Sequence, residues 1–563
     1  MSAWRQVSLY WHTLRYLRPV QFYGRVWFRL FQPKPNLRSA PLRALPYGLW
    51  QTPARRLVSM TGPQSWVFLN KAGHLAEIGW DGPQREKLWR YNQHYFDDLN
   101  ALGAPNRRKW HITLIHNWMV NHPPGEGTGW EPYPLSLRVV NWIKWSLGGG
   151  ELSRAAEYSL AVQVRWLIGR LENHLLGNHL FANAKALVMA GLFFDGLEAD
   201  EWLAKGLRIL AHEVPEQFLS DGGHFERSTM YHSLALEDML DLVNITRCFV
   251  NRLSLSQRQQ TANWPQLAYC MYAWLQAICH PDKEISFFND AAFDVAPSLE
   301  ELGAYVRKVL VDIKPTQTQS SSILHLKDSG YVRLNYDSTV ALLDVAPVGP
   351  DYLPGHAHAD TLSFELSVAG RRVLVNSGTS CYSTSVERLR QRGTAAHNTV
   401  VVDGKDSSEV WAGFRVARRA YPGGLQIEFL ADTGATKVSC AHNGYARLRG
   451  NPTHHRTWLM DKRSLTVIDR IEGPHQTAEA RFHFHPEINV QIELNQTKGS
   501  ALLLDGVLIS WYAEHGKARL EASTWHPRFG QSLENQCLVV KLVDGMSTLH
   551  FCWAPGALES PTD

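Results

Sequence analysis

His356, His358 and Asp360 alternate with alanine in the run 354–360, and a further histidine, His397, leads into Thr399-Val400-Val401-Val402. In an extended chain side chains repeat every two residues, so this spacing projects two imidazoles and a carboxylate from one face. Imidazole with carboxylate or amide oxygen on a rigid sheet is a common metal ligand set. The competing state is a solvated strand end whose histidines are merely hydrogen-bonded. Apolar runs at 362–368 and 373–376, around a turn at Gly370-Arg371, supply the sheet such a cluster would stand on.

The elements that must position this cluster change character along the chain. At 563 residues the sequence is too long for one core. Residues 1–84 are expected to be a basic, aromatic extension followed by a Pro-rich connector. From 85 to 313 the apolar spacing is helical: Leu187, Ala190, Gly191 and Phe194 fall at i, i+3, i+4 and i+7, and Leu236, Leu240 and Val243 at i, i+4 and i+7. Residues 314–322 read as a polar linker. Beyond it, from 323 to 563, the period is two, as at 339–345, 425–429 and 538–543, which implies strands and a β-sandwich. A pocket is expected where the two halves meet. Trp130 and Tyr133, in a Gly/Pro-rich loop on the helical side, are candidates to stack on a sugar face, or else plug a helix pair.

Charge is unevenly spread. The net value is +4, yet no acid precedes Glu77, while eleven Lys and Arg do. The first 32 residues hold nine aromatic side chains among five arginines. This segment reads either as a surface for a membrane or another polyanion, or as a packed helix with solvated arginines. No apolar run is long enough to span a bilayer. No signal peptide is evident, which favours a cytoplasmic or membrane-peripheral location. The seven cysteines contain no C-x-x-C, so neither a disulfide framework nor a zinc ribbon is indicated. No module for nucleic-acid recognition accompanies the basic start.

The runs Gly355-His-Ala-His-Ala-Asp-Thr-Leu-Ser-Phe-Glu-Leu, Val373-Leu-Val-Asn-Ser-Gly-Thr and Arg392-Gly-Thr-Ala-Ala-His-Asn-Thr-Val resemble the C-terminal β-domain of the heparinase II/III family of polysaccharide lyases. Asn178-His179 and Asp221-Gly-Gly-His-Phe-Glu-Arg-Ser-Thr-Met-Tyr-His232 resemble its helical half. The resemblance implies an α+β multidomain fold, an incomplete (α/α) toroid followed by an antiparallel β-sandwich. It implies β-elimination on a uronic-acid-containing polysaccharide, an acidic polymer, and relatives that are commonly periplasmic or secreted.

Such a lyase removes the C5 proton beside a carboxylate and expels the C4 oxygen. Asn178 is then expected to neutralise the carboxylate with His179 beside it, and Tyr231 with His179 or His356 to supply acid and base. His224 and Glu226 are expected to orient the sugar, and Arg388 and Arg392 to bind uronate carboxylates. Similar enzymes hold a divalent metal, and the corresponding positions here are His358, Asn376 and His397. Asparagine in place of the usual carboxylate removes one negative charge, so zinc or calcium competes there with a hydrogen-bonded cluster. A uronate C5-epimerase and a non-catalytic glycan-binding protein are the alternative functions.

Overall fold

The computed structural model describes residues 3–313, 322–504 and 506–553. The chain opens with two short helices, α1 (Ala3–Leu14) and α2 (Pro19–Leu30, with proline at its first position). An extended stretch and a small sheet, Met60–Gly62, Ser65–Phe68 and Lys71–His74, lead into the helical half. Except for Ser322, the expected linker lies outside the described residues.

Helices from Lys87–Tyr95 to Leu299–Val309 pack around Gly177–Phe193, which lies against Pro132–Leu147, Leu197–Gln217 and Thr229–Cys248. Gly177–Phe193 is apolar on nearly every face, as suits a helix surrounded by others. Its one buried cation, Lys185, donates to Asp238 and Asp241 at 2.7 and 2.6 Å. Lys144 of Pro132–Leu147 donates to the same Asp241 at 2.8 Å and to Glu237 at 3.0 Å, and Tyr305 Oη donates to Asp241 Oδ1 at 2.9 Å. Four helices are thereby tied together by charges that must stay paired once buried. Asp238 and its neighbours lie about two turns along Thr229–Cys248 from Tyr231, so the cluster also fixes that helix.

From Ile323 onward the described elements are almost all antiparallel strands, in sheets of five, eight and four. In Thr453–Met460 every second residue is buried, the signature of a sheet with one wet face. Val438, Trp458 and Phe551 of the eight-stranded sheet meet Phe482 and Leu538 of the four-stranded sheet in one core, which makes the pair a sandwich. Asp544-Gly545, both at positive φ, makes the two-residue turn of the isolated bridge Val543–Met546, where the chain crosses from the four-stranded to the eight-stranded sheet.

A polar seam joins the halves. The His280 ring bonds Glu365 and Ser367 at 2.9 and 2.7 Å, and Arg372 grips Asp282 at 2.7 Å. One expectation fails here: His356, His358 and Asp360 lie in an irregular loop, and the strand begins only at Phe364. The turns over this stretch remove the period of two: His356 and His358 bond Asp290, whereas Asp360 accepts the Asn289 N–H at 2.9 Å.

Candidate active site

Leu176 and Gly177 both have positive φ, 62° and 53°. The positive φ favours glycine at 177, and a Cβ there would lie 2.3 Å from Leu353 Cδ2, so the Leu353 side chain would have to move. The turn starts Gly177–Phe193 abruptly, with Asn178 and His179 in its first turn. Asn178 is half-buried, and its side chain has no hydrogen-bond partner among the described residues. His179 is about 31% exposed; its Nδ1 is 3.1 Å from Glu172 Oε1, and its ring lies 4.4 Å from that of Tyr133.

The helix Thr229–Cys248 begins nearby, where the Ser228 hydroxyl caps it by accepting the Tyr231 N–H at 3.1 Å. The same hydroxyl donates to the Asp290 carbonyl, which fastens the helix start to the loop that bears the central carboxylate.

Asp290 is that centre. Fully buried, it accepts from His356 Nδ1 and His358 Nε2 at 2.9 Å each, from Thr379 Oγ1 at 3.2 Å and from both terminal nitrogens of Arg388. Burial works against its charge, but Arg388 and the bonds from His356 and His358 hold it well below the usual carboxylate range. With Nδ1 committed to Asp290, His356 turns Nε2 outward, 3.7 Å from Glu226 Oε2. Its ring stacks on Tyr231, centroids 3.8 Å apart, and Tyr231 Oη lies 3.1 Å from Tyr382 Oη.

The protonation states follow from these surroundings. Burial, with Tyr382 and Tyr133 beside it, pushes the Tyr231 phenol well above its ordinary value, so at neutral pH it keeps its proton. Burial also raises Glu226, against the pull of His356 and His179, and neither of its oxygens has a hydrogen-bond partner among the described residues. For His179 burial disfavours charge, yet Glu172 outweighs it and the imidazole is raised. Beside these groups a cavity of about 330 Å³ is lined by Tyr133, Tyr231, Tyr382, Arg56, Lys144 and Lys185.

His358 and His397 face each other, Nδ1 to Nε2 at 3.3 Å. Burial lowers them to about 4 and about 3, so both are neutral. The Asn376 amide is already engaged: Oδ1 accepts the Asn398 N–H at 3.1 Å, and Nδ2 donates to Ser363 Oγ at 3.2 Å. Two histidine nitrogens and an amide already hydrogen-bonded leave the set one negative charge short of a two-histidine, one-carboxylate site, which weakens it as a zinc site. Among the described residues no group of three or more His, Cys, Asp or Glu is arranged to hold a metal.

Asn178, His179, Tyr133, Glu226, Tyr231 and His356 therefore converge. Four other expected substrate contacts do not. Trp130 is 3% exposed and packs its indole between Trp118 and Trp166. His224 is 1% exposed and bonds Gln217 at 3.2 Å. Arg388 spends its guanidinium on Asp290 and the Gly413 carbonyl, and Arg392 on the Ala357 and Ala412 carbonyls; both are fully buried. These arginines hold the site's walls and do not face its opening.

No sequence motif marks Glu172, and Asp290 and Tyr382 are only weakly signalled. Their only signals are an Asn-Asp pair closing Phe287-Phe288, and a tyrosine six residues after Asn376. The hairpin pairing Val410–Trp411 with Arg415–Val416 completes the rim. Its tip residue Phe414 is 6.2 Å from the His356 ring and 5.3 Å from that of Tyr382.

Residues 158–308 match the model of the heparinase II/III N-terminus, and residues 318–548 that of the heparinase II/III-like C-terminal region. A heparin-sulfate lyase of Bacteroides stercoris is 26% identical over 41% of this chain and 36% of its own length. One of Bacteroides thetaiotaomicron is 26% identical over 70% of this chain and 58% of its own. The chain thus spans between about a third and three fifths of these curated relatives. A mutant of heparan sulfate lyase HepC from Pedobacter heparinus superposes with a TM-score of 0.60 at 16% identity, covering 95% of this chain and 88% of that one. A heparinase III structure gives 0.64 at 18% identity, over 83% and 76%. With its helical and β halves each matched by a model of one family, and the fold shared nearly end to end, this chain belongs to the heparinase II/III family of polysaccharide lyases.

Proposed function

We propose that this chain cleaves a uronic-acid-containing acidic polysaccharide by β-elimination. The observation that carries the reading is the pairing of a protonated phenol with an oriented imidazole: Tyr231 stacked at 3.8 Å on His356, whose Nδ1 is tied to Asp290. In this reading His356 Nε2 takes the C5 proton, and Tyr231 gives its proton to the departing C4 oxygen. Asn178 meets the uronate carboxylate and the enolate-like charge that forms on it, with Glu226, which burial biases toward its neutral form, and His179, which Glu172 biases toward its charged form, beside it. Each preorganised donor there is worth about 3 kcal/mol.

The test is a screen of acidic polysaccharides with the intact chain for ultraviolet absorbance from unsaturated uronate products, heparan sulfate among the first because of the relatives' names. A rise with one uronate polymer is expected. Solvent deuterium at C5 without chain cleavage would replace the reading with a C5-epimerase, and binding without chemistry would replace it with a glycan-binding protein.

A further inference from the structure

The first two helices are fastened on one side and bare on the other. On the inner side of α1, Leu9 is buried, Thr13 Oγ1 accepts from Trp411 Nε1 at 3.1 Å, and the Tyr10 ring meets that of Trp411 edge-on at 4.9 Å. On that of α2, Gln21 Nε2 donates to the Tyr352 carbonyl at 3.1 Å and Phe28 packs 4.4 Å from the His174 ring. The outer side is apolar and wet. Trp4, Val7 and Trp11 on α1, and Tyr23, Trp27 and Leu30 on α2, are 61–85% exposed. Their spacings, i, i+3, i+7 and i, i+4, i+7, make a stripe along each helix.

Charge points to what covers them. Arg25 and Arg29, one turn apart on α2, are exposed and have no ion-pair partner among the described residues. No acid lies within either helix or anywhere before Glu77. A second copy is disfavoured, since neither helix carries an acid that could answer the arginines flanking the stripe. A sugar polyanion would be met by guanidinium forks, whereas this surface is mainly indole, phenol and aliphatic. Those groups suit the level of lipid headgroups, where aromatic rings settle while arginines pair with phosphate. No described helix is long and apolar enough to cross a membrane.

We propose that α1 and α2 are an interaction surface for an anionic lipid bilayer, the outer stripes lying in the headgroup region and Arg25 and Arg29 on its phosphates. The intact protein would be floated with vesicles of phosphatidylcholine alone or mixed with phosphatidylglycerol, at low and physiological salt, beside W4S/W11S/W27S and R25E/R29E variants. The parent should float with the anionic vesicles, less so as salt rises, with a blue-shifted tryptophan emission. Each variant should bind at least about tenfold more weakly with unchanged circular dichroism. Because R25E/R29E alters only exposed charges, it carries the test even where the tryptophan variant folds poorly. The proposal is overturned if the parent ignores anionic vesicles, or if R25E/R29E floats as well as the parent. It is equally overturned by a parent dimer that W4S/W11S/W27S converts to monomer, or by binding of acidic polysaccharide through these helices without vesicle binding.

Discussion

Asp290 and His356 face each other from opposite halves of the fold, joined at 2.9 Å by the bond from Nδ1 to Oδ2. The bond selects the tautomer that leaves Nε2 free to take a proton, and the same carboxylate neutralises buried Arg388. Asp290→Asn should therefore do two things at once. Turnover should fall because the imidazole loses its orientation, and unfolding should become easier by about 3 kcal/mol because Arg388 is left uncompensated. Steady-state kinetics with denaturant unfolding checks both, and a variant as stable as the parent would contradict the buried-pair argument.

Tyr231→Phe removes one oxygen and little volume, so the fold should survive. Loss of the acid should lower kcat about 100-fold, with His356→Ala similar and the double variant losing less than the product of the two. Near-normal turnover of a folded Tyr231→Phe protein on its true substrate would remove the phenol from the mechanism.

Stability should depend on pH through the buried histidines. Burial lowers His358 to about 4, and His397 and His483 to about 3, from an unfolded value of 6.5. Across that window the unfolded chain binds protons that the folded chain refuses. The stabilisation is thus complete above 6.5 and lost as pH falls toward the folded values. Glu226 and Asp344, raised by burial, act in the opposite sense, but more histidines are pushed down than carboxyls up among the described residues. The melting temperature should stay level near neutrality and then drop, with unfolding taking up at least about two protons by about pH 5. A melting curve unchanged down to that pH would refute it.

Protein purified without added metal should carry well under one equivalent of zinc, because His358, Asn376 and His397 offer no anion. Asn376→Asp restores the charge and should increase zinc retention, as read by elemental analysis after dialysis. Stoichiometric zinc in the parent would count against the argument.

The cations lining the cavity are already spoken for. Arg56 and Lys144 pair with Glu237, Lys185 with Asp238 and Asp241, and Arg528 with Asp294. With none left over for sulfate, uronate polymers of low sulfate density should be cleaved faster than heavily sulfated ones, by about tenfold in kcat/KM. Equal rates on paired substrates that differ only in sulfation would show that the cavity pairs open to bind sulfate.

The run expected as a strand at 339–345 is Thr339–Asp344, recognised by its apolar content although every residue of it is buried, and the helical spacing of Leu187, Ala190 and Gly191 falls within Gly177–Phe193. Tyr231 and His356 could be singled out by motif before any contact was known. Asp290 could not, since its bond to His356 spans 66 positions and its loop has no period to betray it. Arg388 and Arg392 misled for a physical reason. A charged side chain argues for exposure unless its counter-charge is known, and for these two the partners are a buried carboxylate and main-chain carbonyls. Trp130 misled similarly, because an indole in a Gly/Pro loop looks the same in sequence whether it faces sugar or core.

The Val410–Val416 hairpin touches α1 through Trp411 and Arg415, and through Phe414 the His356 and Tyr382 rings of the candidate site. One short piece of backbone thus serves two masters, and thermodynamic reciprocity applies. If docking of α1 shifts the hairpin and so alters affinity for sugar, bound sugar must alter docking by the same factor. There is also a consequence for handling the protein. A purification tag or a deletion next to α1 would act on a segment that contacts the rim of the proposed site, so kinetic constants measured with one need checking against the unaltered sequence.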